Sequence, residues 1–565
     1  MNKRLIYVTA LGGMLLLTGC NKKLGQFSSS FFTTDPTPLE SVGENVPGTI
    51  RGAIPAKFMV KNAKVTAVPV LSWTTGTKTG EAMAKPVIFQ GQNVRANGQE
   101  ISYDNGGTVV IPFSLPYQTE MANSDLYLDF SVDQNGKVYT LPRVKVGYGV
   151  VATSTLATAK TVTPAVAKDN FERIISQKYS ADIHFLINQA NIRANQTSSA
   201  AYIDLNKKLM EANAAPNQEI AGININSYAS PEGSLEFNTQ LAEKREKNTT
   251  NYMANQLKKD KITEFGELTS SFTPEDWEGF EKLVEKSNIQ DKDLILSVLR
   301  MYPDPQERER EIRNMSSVFN ELADQILPQL RYSRVQATIN VIGKSDEELV
   351  KLFNSNPQAL TEDEMLYLAT LTNDNMKKME VYNRAAEMHP NDYRAYNNLG
   401  NTQFIAGDYR GAAANWNEAL RINPNSKEAK MNLGLIAMIS GDNQKANELL
   451  GASAGVPESA DALGTYYMNR GDLQKAITAF GDIKTNNAAC ARILSKDYSG
   501  AKNILDQIAV PDATTYYLKA VNDARLNNQN SAMTNLKQAV KMNPAFLQRA
   551  LSDLEFKNMD LSYLK

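Results

Sequence analysis

The chain has 565 residues, 42% of them hydrophobic and 22% charged, a length for about three to five domains with ample core. Its 60 Lys and Arg stand against 62 Asp and Glu, and the formal charge of −2 excludes the overall basic footprint of a nucleic-acid binder. Two histidines, His184 and His389, and two cysteines, Cys20 and Cys490, exclude a Cys/His metal cage and a disulfide framework.

The first element is a basic start, Lys3 and Arg4, followed by an apolar run over residues 5–17. That is the pattern of a secretory signal, too short to span a membrane comfortably. It ends in Leu17, Thr18, Gly19 and Cys20, which resembles a bacterial lipobox. The resemblance implies removal of residues 1–19, acylation of Cys20 and attachment to membrane through N-terminal lipid. No Asp follows the cysteine, which implies sorting to the outer membrane, on its periplasmic side. Residues 20–46, rich in Ser, Thr and Pro, read as a tether.

Over 47–150 the apolar period changes to two, as in Lys64-Val65-Thr66-Ala67-Val68 and Asp125-Leu126-Tyr127-Leu128-Asp129-Phe130. Turn signals such as Gln134-Asn135-Gly136 separate the runs, and short strands with Asn/Gly turns predict a β-sandwich. Residues 151–169, rich in Thr and Ala, read as a linker.

The next region, 170–345, opens with a strand around Ile183-His184-Phe185 and a helix near residues 200–213. A second strand runs over 219–228, then the turn Ala229-Ser230-Pro231-Glu232-Gly233-Ser234 and a helix for which Ser234 is the expected N-cap. In that helix Phe237-Asn238, Leu241 and Arg245, with Gly233 ahead of them, resemble the OmpA-like peptidoglycan-binding domain. The resemblance implies the diaminopimelate of the peptidoglycan stem peptide as ligand. Arg245 would grip its carboxylate bidentately, as a forked guanidinium does. Where the family has an Asp for the ammonium, this chain has Ser230, and Glu232 is the substitute candidate. A charged helical insertion is expected over about 274–327, and a last strand over 334–341, where the resemblance places Arg334 near the family's second arginine. His184 reads as a structural histidine.

From 355 to 565 a constellation recurs. Tyr396, Leu399, Gly400, Ala412, Trp416, Ala419 and Pro424 are followed by Leu433, Gly434, Ala446 and Leu450, and then by Leu463, Gly464, Tyr467, Ala476 and Phe480. It resembles the tetratricopeptide repeat, with about five units including a shortened one near Ala501. The resemblance implies a concave groove for an unidentified envelope protein. Trp416 and Cys490 read as core.

The expected fold class is therefore multi-domain α+β: an N-terminal β-sandwich, a central OmpA-like α/β domain with a helical insertion, and a C-terminal all-α tetratricopeptide solenoid. The expected function is an envelope tether joining outer membrane, peptidoglycan and a protein partner. The alternative is an assembly scaffold whose OmpA-like domain no longer binds peptidoglycan. No nucleophile, metal or carboxylate pair for catalysis is legible, so no enzymatic activity and no cofactor is expected.

Overall fold

The computed structural model describes residues 23–289, 291–314 and 316–564. The signal segment 1–19 and Cys20 lie outside the described residues. Two compact units emerge: residues 1–168 with 372–565, and Asp169–Leu371.

The first unit starts with strands β1 Phe32–Asp35, β2 Leu39–Glu40, β3 Asn45–Ile54, β4 Ala63–Thr75, β5 Lys78–Met83 and β6 Val87–Gly91. It continues with β7 Gln99–Ile101, β8 Gly107–Pro116, β9 Ser124–Gln134, β10 Lys137–Tyr148 and β11 Val150–Val151. One sheet has the order β1-β3-β8 and the other β10-β9-β4-β6-β7, with β5 also paired to β4. Alternate residues of β8 and β9 are buried, so each sheet turns one apolar face inward. Ile50, Val109, Ile111 and Leu115 meet Val65, Leu71, Leu126 and Leu128 in one core. Asn135 and Gly136 both have positive φ (55° and 80°), the geometry that joins β9 to β10 by a two-residue hairpin.

The tether expectation for 20–46 fails in its described part. Leu24, Phe27, Phe32 and Leu39 are buried in that same core, and the Phe27 ring stacks on Phe130 with centroids 4.4 Å apart. Burial of these large side chains outweighs a Ser/Thr/Pro-rich composition.

The second unit contains β12 Ile174–His184, α1 Ala194–Thr197, α2 Ala200–Ala214, β13 Gln218–Tyr228, α3 Leu235–Lys259 and β14 Glu267–Thr273. Then follow α4 Trp277–Lys286, α5 Lys292–Met301, α6 Pro305–Asn314, α7 Ser316–Gln325, β15 Tyr332–Ile342, α8 Asp346–Ser355 and α9 Glu362–Leu368. The sheet order is β12-β15-β13-β14, with only the β13–β14 pair parallel. α2 and α3 cover its apolar face through Leu205, Leu209, Met253 and Leu257, packed on Ile183, Ile223, Ile225 and Val335. The Ser234 hydroxyl accepts from the Phe237 N–H and starts α3.

The insertion consists of four short helices, α4 to α7, around a small core that includes Phe280, Val284, Ile295, Leu299, Ile312 and Leu322. The stretch from 345 to 371, placed partly in the repeats by sequence, belongs to this second unit. Arg173 pairs with Asp346, Lys344 with Glu364 at 2.8 Å, and Phe171 stacks on Tyr367 at 4.3 Å.

The rest of the first unit is helical: α10 Asn375–Met388, α11 Tyr393–Ile405, α12 Tyr409–Ile422, α13 Lys427–Ile439, α14 Asn443–Gly451 and α15 Ser459–Asn469. After these come α16 Leu473–Phe480, α17 Asn486–Leu494, α18 Tyr498–Asp506, α19 Ala513–Arg525, α20 Gln529–Met542 and α21 Ala545–Ser552. From α11 to α20 they form five successive helix pairs among the described residues. The glycine of each early pair is a contact point. A Cβ on Gly400 would lie 2.5 Å from Trp416 Nε1, and one on Gly464 2.4 Å from the Phe480 ring. In four of the pairs an Asp (Asp408, Asp442, Asp472 or Asp497) caps the second helix by accepting a backbone N–H.

Candidate functional site

The first helices of the pairs carry a recurrent amide. Asn398 stands two residues before Gly400, Asn432 two before Gly434, and Asn487 two before Ala489. One helical register therefore places all three on the same face of the stacked repeats. They are 3%, 0% and 1% exposed, so each needs internal hydrogen-bond partners.

Their partner is the chain itself. Residues 152–168 run as a strap along these helices, with 3-10 turns at Thr153–Leu156 and Ala159–Thr161. The Asn398 amide takes the N–H of Ala167 and donates to its carbonyl, both at 2.9 Å. Asn432 does the same with Ala165, at 2.7 and 2.9 Å. Asn397 and Asn401 also donate to the Ala165 carbonyl, each at 2.9 Å. Asn487 accepts from the Thr158 N–H and donates to its carbonyl, both at 3.3 Å. Cys490 directs its thiol to the Thr153 carbonyl, and Arg549 holds the Ala152 carbonyl at 2.9 Å.

The strap thus runs opposite to the order of the repeats: its start lies on α17 and α21, its end on α11. Apart from Leu156, the inward side chains that reach the repeat cores are small. Ala159, Val162 and Ala165 join Trp416, Met431 and Leu435 in one core, and Leu156 and Ala157 join Cys490 and Ile493 in another. Reading 151–169 as a free linker is corrected by this geometry. An amide that bonds both N–H and C=O of one residue reads main chain, so the strap needs no distinctive side chains.

Two further groups line this face. Burial raises the Asp461 carboxyl to about 6, partly offset by hydrogen bonds from Thr485 and Asn487. Burial likewise pushes the Cys490 thiol up to about 12, leaving it protonated and inert. At the strap's beginning, Arg525 pairs with Glu555 at 2.6 Å and with Glu40, and Ser41 Oγ lies 2.7 Å from Ser154 Oγ. These contacts fasten the β-strand region to the last repeats.

The residues singled out on the second unit do come together at one end of its sheet, but they are already partnered. Ser230 donates to Glu232 Oε1 at 2.9 Å. Arg331 grips the Glu232 carboxylate through two bonds of 3.0 and 2.8 Å. Arg245 is fully buried. Its guanidinium donates to the carbonyls of Gln189, Tyr228 and Leu186 at 3.0, 2.8 and 3.3 Å and lies over the Phe185 ring. Burial, and then the charge of Arg331, pull its pKa down to about 10 against the opposing pull of Glu232. An Arg245 open to a ligand carboxylate, and a Glu232 open to an ammonium, are not the arrangement found. Arg334 lies elsewhere, in a two-bond pair with Asp182 on the polar face of the sheet. The arginine that sequence reasoning missed is Arg331, three residues earlier.

Among the described residues no group of three or more His, Cys, Asp or Glu is arranged to hold a metal, and no helix is long and apolar enough to cross a membrane. The family model of the tetratricopeptide repeat matches residues 393–426, the α11–α12 pair. Solved structures similar to this chain include a tetratricopeptide repeat protein from Parabacteroides merdae, at 15% identity, covering 37% of this chain and 91% of that one with a TM-score of 0.30. YrrB, described as a repeat protein with an unusual peptide-binding site, is 18% identical, with 38% and 100% coverage and a TM-score of 0.22. Yeast Tom70 is 12% identical, with 57% and 76% coverage and a TM-score of 0.27. No curated protein matches the chain. The C-terminal region therefore carries a tetratricopeptide repeat, a fold that serves protein contacts and is typically non-enzymatic.

Proposed function

We propose that this chain is a non-enzymatic scaffold of the bacterial outer membrane, lipid-anchored at Cys20, whose work is protein–protein contact. The observation that carries this reading is the asparagine-lined face of the repeats, built to hold an extended polypeptide by its main chain. The signal pattern ending at Cys20 supports the envelope location. The second unit serves as a structural or protein-contacting part of the scaffold rather than as a peptidoglycan clamp. Arg245 spends its guanidinium on three carbonyls and Glu232 its carboxylate on Arg331.

The test is cosedimentation of the mature chain with purified peptidoglycan sacculi, alongside native electrophoresis of detergent-solubilised envelopes. The scaffold reading expects no binding to sacculi and a protein complex that survives digestion of the wall. Binding to sacculi that free stem peptide competes away would restore the tether and refute the scaffold reading.

A further inference from the structure

The strap is a template for what the groove can take. Every hydrogen bond from Asn397, Asn398, Asn401 and Asn432 to the strap ends on a main-chain atom of Ala165 or Ala167. The inward side chains at 157, 159, 162, 165 and 167 are Ala, Ala, Val, Ala and Ala, each buried. Lys160, Thr161, Thr163 and Val166 face solvent. The groove therefore selects shape and absence of charge, not a side-chain code.

Its hold is uneven. Asn398 and Asn432 bind at 2.7–2.9 Å, but the third pair has Ala462 in that register and offers no amide, and Asn487 binds at 3.3 Å. Residues 159–163 cross this gap, held there by the packing of Ala159 and Val162 rather than by amide bonds.

We propose that the strap is an exchangeable internal ligand, and that the same groove accepts from a partner protein an extended, uncharged segment with small residues at the positions of Val162, Ala165 and Ala167. The partner segment lies opposite to the repeat order, as the strap does, and binds to Asn397, Asn398, Asn401 and Asn432. This rests on the reading of the repeats as a protein-contact module. Native electrophoresis of the solubilised envelopes tests that reading separately, since a protein complex can be present whether or not the strap exchanges.

The probe is a fluorescein-labelled peptide with the sequence of residues 152–168, titrated into the full mature chain and followed by polarisation. A strap variant, Val162→Asp with Ala165→Asp, empties the groove. It is expected to bind the peptide at least tenfold more tightly than the wild type, which must first release its own strap. Adding Asn432→Ala to that variant is expected to weaken binding at least tenfold. A folded strap variant that binds no peptide at millimolar concentration, or binds it regardless of Asn432→Ala, overturns the proposal. If the strap variant does not fold, hydrogen exchange of the wild type decides. Excess peptide should then speed exchange of residues 158–168 relative to α11 and α13, and unchanged exchange refutes the exchange of ligands.

Discussion

Replacing Asn398 by Ala removes one side chain and strands two backbone groups. The Ala167 N–H and carbonyl each bond to this amide at 2.9 Å, and Ala167 is 1% exposed. A buried polar group left without a partner costs about 1–3 kcal/mol. Two such groups, partly relieved by water entering as the strap loosens, put the loss at about 2–4 kcal/mol. For a helical region of this size each kcal/mol corresponds to roughly 2–4 °C in Tm, so a drop of roughly 4–16 °C is expected. Asn417→Ala on the exposed side of α12 is the control, with an effect within about 0.5 kcal/mol. Thermal unfolding followed by helical circular dichroism measures the first quantity, and hydrogen exchange of residues 162–168 the second. An Asn398→Ala protein that matches the control in both would refute the claim that the strap is held by amide-to-backbone recognition.

Four further outcomes are expected. The Asp461 carboxyl, raised from 3.8 to about 6 by burial, contributes stability that is complete only below about pH 3 and disappears as pH rises through 6. The wild type should therefore lose about 3 kcal/mol relative to Asp461→Asn between pH 3 and pH 8, read from urea unfolding at each pH; a flat difference contradicts the assignment. Gly464→Ala places a methyl against the Phe480 ring and should cost about 1–3 kcal/mol, with partial recovery in Gly464→Ala/Phe480→Leu. Glu232→Gln leaves the mostly buried Arg331 without its counter-charge and should cost about 3 kcal/mol. Replacing both, Glu232→Leu with Arg331→Met, should lie much nearer the wild type, and equal losses would show that the pair adds nothing of its own. Cys490 should resist thiol reagents at pH 8 until the repeats unfold, and rapid labelling of the native chain would contradict its burial.

The features legible in the sequence are those that a side chain announces. Asn135-Gly136 marks a hairpin because few other residue pairs tolerate two positive φ angles. Gly400 and Gly464 mark the repeats because Trp416 and Phe480 leave no room for a Cβ. Ser234 marks the start of α3 by the cap it makes. The strap escaped notice for the opposite reason: it is bound through its backbone, so its Thr/Ala sequence carries no periodicity. The matching signal lay in the groove, in the repeated spacing of Asn398, Asn432 and Asn487 ahead of a small residue. Arg331 was overlooked in favour of Arg334 because strand alternation does not show which arginine near a strand's start turns towards the Glu232 turn. The end of the second unit was not readable: the capping boxes Ser345 with Glu348 and Thr361 with Glu364 mark the starts of α8 and α9, but the repeat helix α19 begins with one as well, so they do not tell the two units apart.

The burial of Leu24 and Phe27 changes what a lipid at Cys20 would do. A 27-residue tether over 20–46 could reach roughly 90 Å when extended, far enough for the first folded part to roam through the space beneath the membrane. With Leu24 fixed in the core, only three residues separate it from Cys20, a reach of at most about 14 Å over the four Cα steps. The β-strand region would then lie against the bilayer surface. It is fastened to the last repeats by Arg525, Glu40, Glu555 and the strap, so the repeats would be held near the membrane as well. Such short leashes raise the effective concentration of the groove towards segments of membrane-resident proteins and lower it towards distant ones. If Cys20 carries lipid, proximity of this kind suits assembly at the membrane better than bridging to a distant wall, which favours the proposed scaffold on a ground separate from the partnered state of Arg245.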